Sequence, residues 1–332
     1  MLTERDRANY ARDGYLHLGQ VLDETALAAL RERADDLATG RVANDEIQLQ
    51  RDTGGAYDAL AGVESSPLGT LRYRKIQGLE TDDRFFELVR HPLFLEIAAH
   101  HYGAHAPVSI FRAMVMNKPA ELGTVLPWHQ DGGDVWALDR DPLVTVWVAL
   151  DDATVENGCV EVVPGSHRLG LLSAFGSTLT EDDAARHCPS ERVVPLEVKA
   201  GHAVLMHNWL IHRSGVNPSR RPRRAFTACY MDGRTQSTLT GARFPLIVGA
   251  PPSEKYAFVR GLEAEAAALR EHTVRADEYA QSLADDNVTL QETLHEATAY
   301  ARSLERELAT TAKMRADAEE YARSLEAERA AG

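Results

Sequence analysis

The sequence predicts a mainly β domain, a sandwich or barrel carrying helices at its N-terminal side, followed by one long C-terminal helix. Three observations carry that prediction. From Val108 onward, short β-rich runs (108–117, 145–150, 159–164, 202–207 and 225–231) are separated by turn residues, with no helical stretch expected between them. Ahead of these runs, Asp23 stands as a capping residue before Glu24-Thr25-Ala26-Leu27-Ala28-Ala29-Leu30, whose apolar residues recur at helical spacing, and a second helical stretch surrounds 83–100. Beyond Pro251-Pro252 the texture changes again. Between Leu262 and Ala331 there is no Pro, Gly, Cys, Trp or Phe.

The last segment repeats. Tyr279-Ala280-Gln281-Ser282-Leu283, Tyr300-Ala301-Arg302-Ser303-Leu304 and Tyr321-Ala322-Arg323-Ser324-Leu325 follow one another at a step of 21 residues, which is three heptads. With Leu283 at position a, the same register holds Leu262, Leu269, Ala276, Leu290, Ala297, Leu304, Thr311, Ala318 and Leu325. A 3.5-residue period kept over that length implies a helix that supercoils left-handedly with a partner. The seam is imperfect, because Glu265, His272, Asp286 and Glu307 occupy d positions. The alternative is a single charged helix. The expected organisation is therefore a domain over 1–250, a linker over 251–260 and a coiled-coil helix over 261–332, which would bring a second copy or a partner helix.

Composition excludes several classes. The 332 residues are 26% charged and 44% hydrophobic, enough to build a sizeable core. Thirty-six Lys and Arg against 50 Asp and Glu give a net charge of −14, which argues against nucleic acid or an anionic membrane as partner. Residues 260–332 carry half of that excess. Cys159, Cys188 and Cys229 form neither a disulfide framework nor a zinc-ligand pattern, so reduced thiols and a cytoplasmic location are expected. No apolar run approaches a membrane span, and the first residues lack the apolar stretch of a signal peptide.

The chemistry concentrates at Pro127-Trp128-His129-Gln130-Asp131-Gly132-Gly133. Alternate side chains of an extended chain share a face, so His129 and Asp131 point the same way. An imidazole beside a carboxylate supplies two of the three ligands of the 2-His-1-carboxylate set that holds iron(II) and leaves positions open for co-substrate and dioxygen. Alone, a His-x-Asp pair is weak evidence. A third ligand is available from a distant strand in His212, and Arg223 stands eleven residues further on. A guanidinium entering the interior needs an anionic partner, and a bidentate carboxylate fits it.

These segments together resemble the phytanoyl-CoA dioxygenase-like branch of the iron(II)/2-oxoglutarate oxygenases. The resemblance runs from Asp13-Gly14-Tyr15 to Gly233 and includes Met116-Asn117-Lys118-Pro119, Trp128-His129-Gln130-Asp131, the run from Asn157 to His167, and the His212…Arg223 segment. It implies a double-stranded β-helix (a cupin-like jelly roll), with iron held by His129, Asp131 and His212. It further implies Arg223 on the distal carboxylate of 2-oxoglutarate, with Lys75, Met114, Gln130, Trp147 and Ser214 lining the co-substrate pocket. Arg74 is the alternative to Lys75, because that stretch lies across a region of variable length. One departure is visible: Gly201-His202 stands where relatives read Gly-Asp, a turn position that touches no ligand. Asp131 itself favours hydroxylation, or another oxidation of the same kind, over the halogenation of relatives that lack this carboxylate.

The implied activity is a dioxygenase that hydroxylates a small-molecule or biosynthetic intermediate, consumes O2 and 2-oxoglutarate, releases succinate and CO2, and is stimulated by ascorbate. Two other readings stand beside it. One is a catalytically silent ligand-binding scaffold assembled through its coiled coil; the other is a cupin-like enzyme using another metal or none.

Overall fold

The computed structural model describes residues 2–52, 54–55, 69–173 and 176–248, and beyond these 290–291, 293–295, 297–298, 301–320 and 323. In chain order the elements are α1 (Glu4–Asp13), β1 (Tyr15–Gln20), α2 (Glu24–Thr39), β2 (Gln48–Arg51), β3 (Tyr73–Gln77), α3 (Asp83–Val89), α4 (Pro92–Tyr102), β4 (Val108–Lys118), β5 (Leu126–Gln130) and β6 (Val144–Ala149). They continue with β7 (Val160–Val162), β8 (Ser177–Thr178), α5 (Glu181–His187), β9 (Val194–Leu196), β10 (His202–His207), β11 (His212–Ser214), β12 (Arg223–Asp232) and β13 (Leu246–Val248).

The strands form two sheets. The larger runs β1-β10-β6-β12-β4-β3-β2, with β13 also on β4; the smaller runs β8-β5-β11-β7-β9. Every pairing between named strands is antiparallel. The architecture is mainly β with helices at the N-terminal side, consistent with a cupin-like jelly roll.

Local chemistry explains the helices. Asp23 caps α2 by accepting from the Ala26 N–H at 2.8 Å. The helix then buries Leu27, Leu30, Ala34, Leu37 and Ala38, a stripe at helical spacing. Asp82 caps α3 and also takes Arg33 of α2 in an ion pair at 2.7 Å, which ties the two helices together. One short helix, α5, interrupts the β-rich half where only strands and turns were expected. Thr180 caps it, and Glu181, Asp182 and Asp183 fill its first turn, a start that favours helix through the aligned peptide dipoles.

Alternation along the central strands splits the core into two. Ala113 and Val115 of β4, Val146 and Val148 of β6, and Phe226, Ala228 and Tyr230 of β12 meet α2, α3 and α4 on one face of the large sheet. The opposite parity sends Trp147, Val204, Met206 and Ala225 towards Val162, Leu196 and Leu210 of the smaller-sheet side. The candidate site opens between the sheets on this second face.

The chain divides into two units, Met1–Ala266 and Ala267–Gly332. In the second, residues 301–320 are helical, and Leu304, Leu308 and Met314 are exposed on it, as are Leu290 and Leu294 nearer its start. The expected linker, and much of the seam that defines the coiled coil (Leu262, Leu269, Leu283 and Leu325 among it), lie outside the described residues. Among the described residues, no helix is long and apolar enough to cross a membrane.

Candidate metal and co-substrate site

His129 and His212 are direct cross-strand partners in the β5–β11 pairing, which brings their ring centroids to 3.9 Å. Asp131 follows immediately after β5, its backbone N–H donating to the Asn208 carbonyl at 2.8 Å. The chain turns there through Gly132, whose φ of 135° suits a residue without a side chain; a Cβ would stand 3.0 Å from Asp141 Oδ2. Asp141 holds the turn by accepting from the Gly133 N–H at 2.9 Å and from Trp209 Nε1 at 3.3 Å. One donor atom from each of His129, Asp131 and His212 lies within 4.8 Å of the others.

The imidazoles are oriented for ligation. Nδ1 of His129 lies 2.9 Å from the Pro127 carbonyl, and Nδ1 of His212 lies 2.8 Å from the Leu210 carbonyl. A carbonyl oxygen only accepts, so each Nδ1 carries the ring proton and each Nε2 keeps its lone pair. Burial pushes the His129 imidazole down to about 3, with the neighbouring His212 adding to the shift. The ring is neutral at ordinary pH, the form that binds a metal. Two imidazoles and one carboxylate are the donor set suited to iron(II), so the residues present fit the metal that the sequence implies.

A cavity of about 340 Å³ adjoins these donors and extends to Arg223. Arg223 is 3% exposed; its Nη2 donates to the Gly158 carbonyl at 2.8 Å, while its Nε is buried without a partner. Burial lowers the guanidinium to about 10, still charged at neutral pH. An orphaned donor on a buried cation marks a place for an anion, and a terminal carboxylate of 2-oxoglutarate fits it. Trp147 lies alongside, its ring centroid 6.0 Å from the Arg223 Cζ.

Lys75, Met114, Trp147 and Ser214 all line this cavity. Lys75 pairs in register with Met116, on the inward parity of β4, whereas the Arg74 guanidinium donates to Gln50 on the neighbouring strand at 2.8 Å. Burial, with Arg112 and Arg74 nearby, lowers the Lys75 ammonium to about 7.

Gln130 is held differently from its neighbours in the chain. It borders the cavity, but its Nε2 donates to the Gly170 and Trp209 carbonyls at 2.8 and 2.7 Å, and its Oε1 accepts from the Leu172 N–H at 2.8 Å. Both amide donors are spent on loops because Gln130 has the opposite strand parity from His129 and Asp131. Its side chain fastens those loops at the edge of the cavity.

Sequence reading missed Arg112 and Lys118, which also line the cavity. The signal was present: Arg112, Met114, Met116 and Lys118 alternate along β4, so two cations share the inward face with Met114. Lys118 is 5% exposed, donates to the Thr124 carbonyl at 2.7 Å, and pairs in register with Arg223. Burial and the Arg223 charge push its ammonium down to about 6.

Two antiparallel sheets, three converging donors and a buried arginine facing a cationic cavity are the features of the cupin-like non-haem iron oxygenases that use 2-oxoglutarate. The chain belongs within that class to the phytanoyl-CoA dioxygenase (PhyH) family, whose model matches residues 10–225. A phytanoyl-CoA dioxygenase of Arabidopsis thaliana is 33% identical over 132 residues, 39% of this chain and 46% of that protein. The L-proline trans-4-hydroxylase of Streptomyces griseoviridis is 29% identical over 240 residues, 65% of this chain and 82% of that protein. Among solved structures, the epimerase SnoN in complex with Fe3+, α-ketoglutarate and nogalamycin RO shows a TM-score of 0.53 at 26% identity, covering 75% of this chain and 92% of that one. The chain spans about half the length of the first curated relatives it matches.

Proposed function

We propose that the chain is an iron(II)- and 2-oxoglutarate-dependent dioxygenase that hydroxylates a small-molecule or biosynthetic intermediate. The observation that carries this reading is the convergence of His129, Asp131 and His212 beside a cavity that is also lined by Arg223, whose buried Nε has no partner. When bound, iron and 2-oxoglutarate supply the oxidation of an unactivated C–H bond by dioxygen, with succinate and CO2 released.

The residues of the chain do the positioning. His129 and His212 present Nε2 because the Pro127 and Leu210 carbonyls fix their Nδ1 protons. Arg223 and Lys75 receive the co-substrate's negative charge, Ser214 lines its distal end, and Trp147 and Met114 exclude water around its carbon chain. Relatives as different as a proline hydroxylase and an epimerase support the reaction class and leave the substrate to the cavity of each enzyme. The intact donor set speaks against a silent scaffold.

The second unit supports a further part of the proposal: residues 261–332 bring chains together as a coiled coil. The exposed Leu304, Leu308 and Met314 on its helix are the observation behind it.

Iron-dependent succinate formation from 2-oxoglutarate by the purified chain tests the reading, with Arg223→Ala as the discriminating variant. Removing one partner of a buried charged pair weakens binding by about 30-fold or more. The KM for 2-oxoglutarate is therefore expected to rise by at least that factor. An unchanged KM removes Arg223 from the co-substrate site.

A further inference from the structure

We infer that the substrate oxidised in this pocket carries a carboxylate and that Arg112 holds it, an inference that rests on the oxygenase reading above. Arg112 projects from β4 into the cavity. Its Nη2 stands 3.6 Å from Asp131 Oδ1, beyond hydrogen-bond length, and among the described residues its guanidinium makes no hydrogen bond. Its fork of donors is thus engaged only by the long ion pair with Asp131 and keeps capacity for a ligand.

The guanidinium is nevertheless held in place. Its Cζ lies 4.4 Å over the Trp136 ring and 5.2 Å from that of Phe111. Those two rings stack on one another at 4.8 Å and 29°. An arginine lying on an aromatic shelf has its face covered and its edge free, and that edge matches a carboxylate bidentately.

Position separates this arginine from the one assigned to the co-substrate. On β12, Cys229 pairs with Arg112 and Arg223 pairs with Lys118. At roughly 3.3 Å per residue, those two places along the sheet are about 20 Å apart. A single co-substrate molecule chelated at the His129, Asp131 and His212 donors and reaching Arg223 leaves Arg112, beside Asp131, for a different anion.

Charge and size point the same way. The cavity is lined by four arginines (Arg74, Arg112, Arg213 and Arg223), by two lysines whose ammonium groups burial lowers to about 7 (Lys75) and about 6 (Lys118), and by one carboxylate, Asp131. Arg213 is answered by Glu161 at 2.7 Å. The two charges of 2-oxoglutarate are matched by those of the iron it joins, so the charge of Arg112 faces only Asp131 until another anion enters. The volume, about 340 Å³, sits at the small end of ligand sites and is shared with the co-substrate, which selects a small acid.

Calorimetric titration of the full chain, loaded anaerobically with iron(II) and 2-oxoglutarate, tests this without turnover. The probes are L-proline, L-leucine, hexanoate and benzoate, each beside its methyl ester. At least one acid is expected to bind about 100-fold more tightly than its ester, and Arg112→Gln is expected to bring that ratio to within about threefold of unity. Arg112→Lys, which keeps the charge and loses the fork, should give an intermediate ratio and serves if the glutamine variant fails to fold. Esters binding as well as their acids, no acid binding at millimolar concentration, or a ratio that survives Arg112→Gln would overturn the inference. Admitting air to the same samples reads the oxygenase assignment separately: absence of iron-dependent succinate removes that assignment, whereas succinate formed alongside an unselective pocket removes only the carboxylate.

Discussion

Lys75 shows how burial shapes this site one residue at a time. Desolvation, helped by Arg112 and Arg74, brings its ammonium from an ordinary 10.5 to about 7. Below that value the side chain is charged and attracts the dianionic co-substrate; above it the attraction fades. Affinity for 2-oxoglutarate is expected to fall as pH rises from 6 to 8, and Lys75→Met is expected to flatten that dependence, as read by titration at fixed ionic strength. The stability consequence has a definite sign. Between about 7 and 10.5 the unfolded chain binds more protons at this position than the folded one, so the penalty of burying the cation is full below about 7 and is relieved as pH rises through that window. At the same scale, the sequence showed the residue types and left part of their use unread. His129 and Asp131 declare themselves by alternation, and His212 by its place before Arg223. Gln130 carries the same kind of polar group, yet its amide fastens the Gly170, Leu172 and Trp209 loops, partners 40 to 79 residues away that no local spacing encodes.

Among the elements, the turn ahead of β7 does as much for the co-substrate end as any strand. Gly158 adopts φ 74°, and a Cβ on it would lie 2.5 Å from the Val216 carbonyl oxygen. Its own carbonyl accepts from Arg223 Nη2. Gly158→Ala combines a left-handed backbone with a clash against main chain, so the carbonyl must move and Arg223 loses its anchor. The expected outcome is a loss of about 1–3 kcal/mol in urea unfolding together with a raised KM for 2-oxoglutarate. A stability loss with unchanged KM would show that the anchor is dispensable. The β-rich half was legible from its short apolar runs because inward and outward parity is written into each strand. Helix α5 was not, because its capping Thr180 and acidic first turn resemble a polar loop in a stretch too short for periodicity. The cations of β4 were also overlooked, although Arg112 and Lys118 alternate with Met114 and Met116 as an inward face requires.

For the whole molecule, the acid excess splits evenly between two unlike parts, a β domain that concentrates cations in its cavity and a charged C-terminal helix. The helix leaves Leu304, Leu308 and Met314 exposed, with Leu304 and Met314 at a and d positions of the heptad register. Sedimentation equilibrium of the full chain is expected to show a multiple of the 36.6 kDa protomer mass, and Leu304→Glu, at an a position, is expected to shift it towards the single-chain value. A monomer at all concentrations would reduce the segment to a solvated helix.

The central claim, that His129, Asp131 and His212 hold iron for a 2-oxoglutarate-dependent oxidation, is tested most directly by quantifying succinate formed from 2-oxoglutarate under air, with and without iron(II), in the unaltered chain and in Asp131→Ala. Iron-dependent succinate that is abolished by Asp131→Ala, with the bound iron lost by metal analysis, is the predicted result. Succinate that forms without iron, or that survives the loss of Asp131, would contradict it.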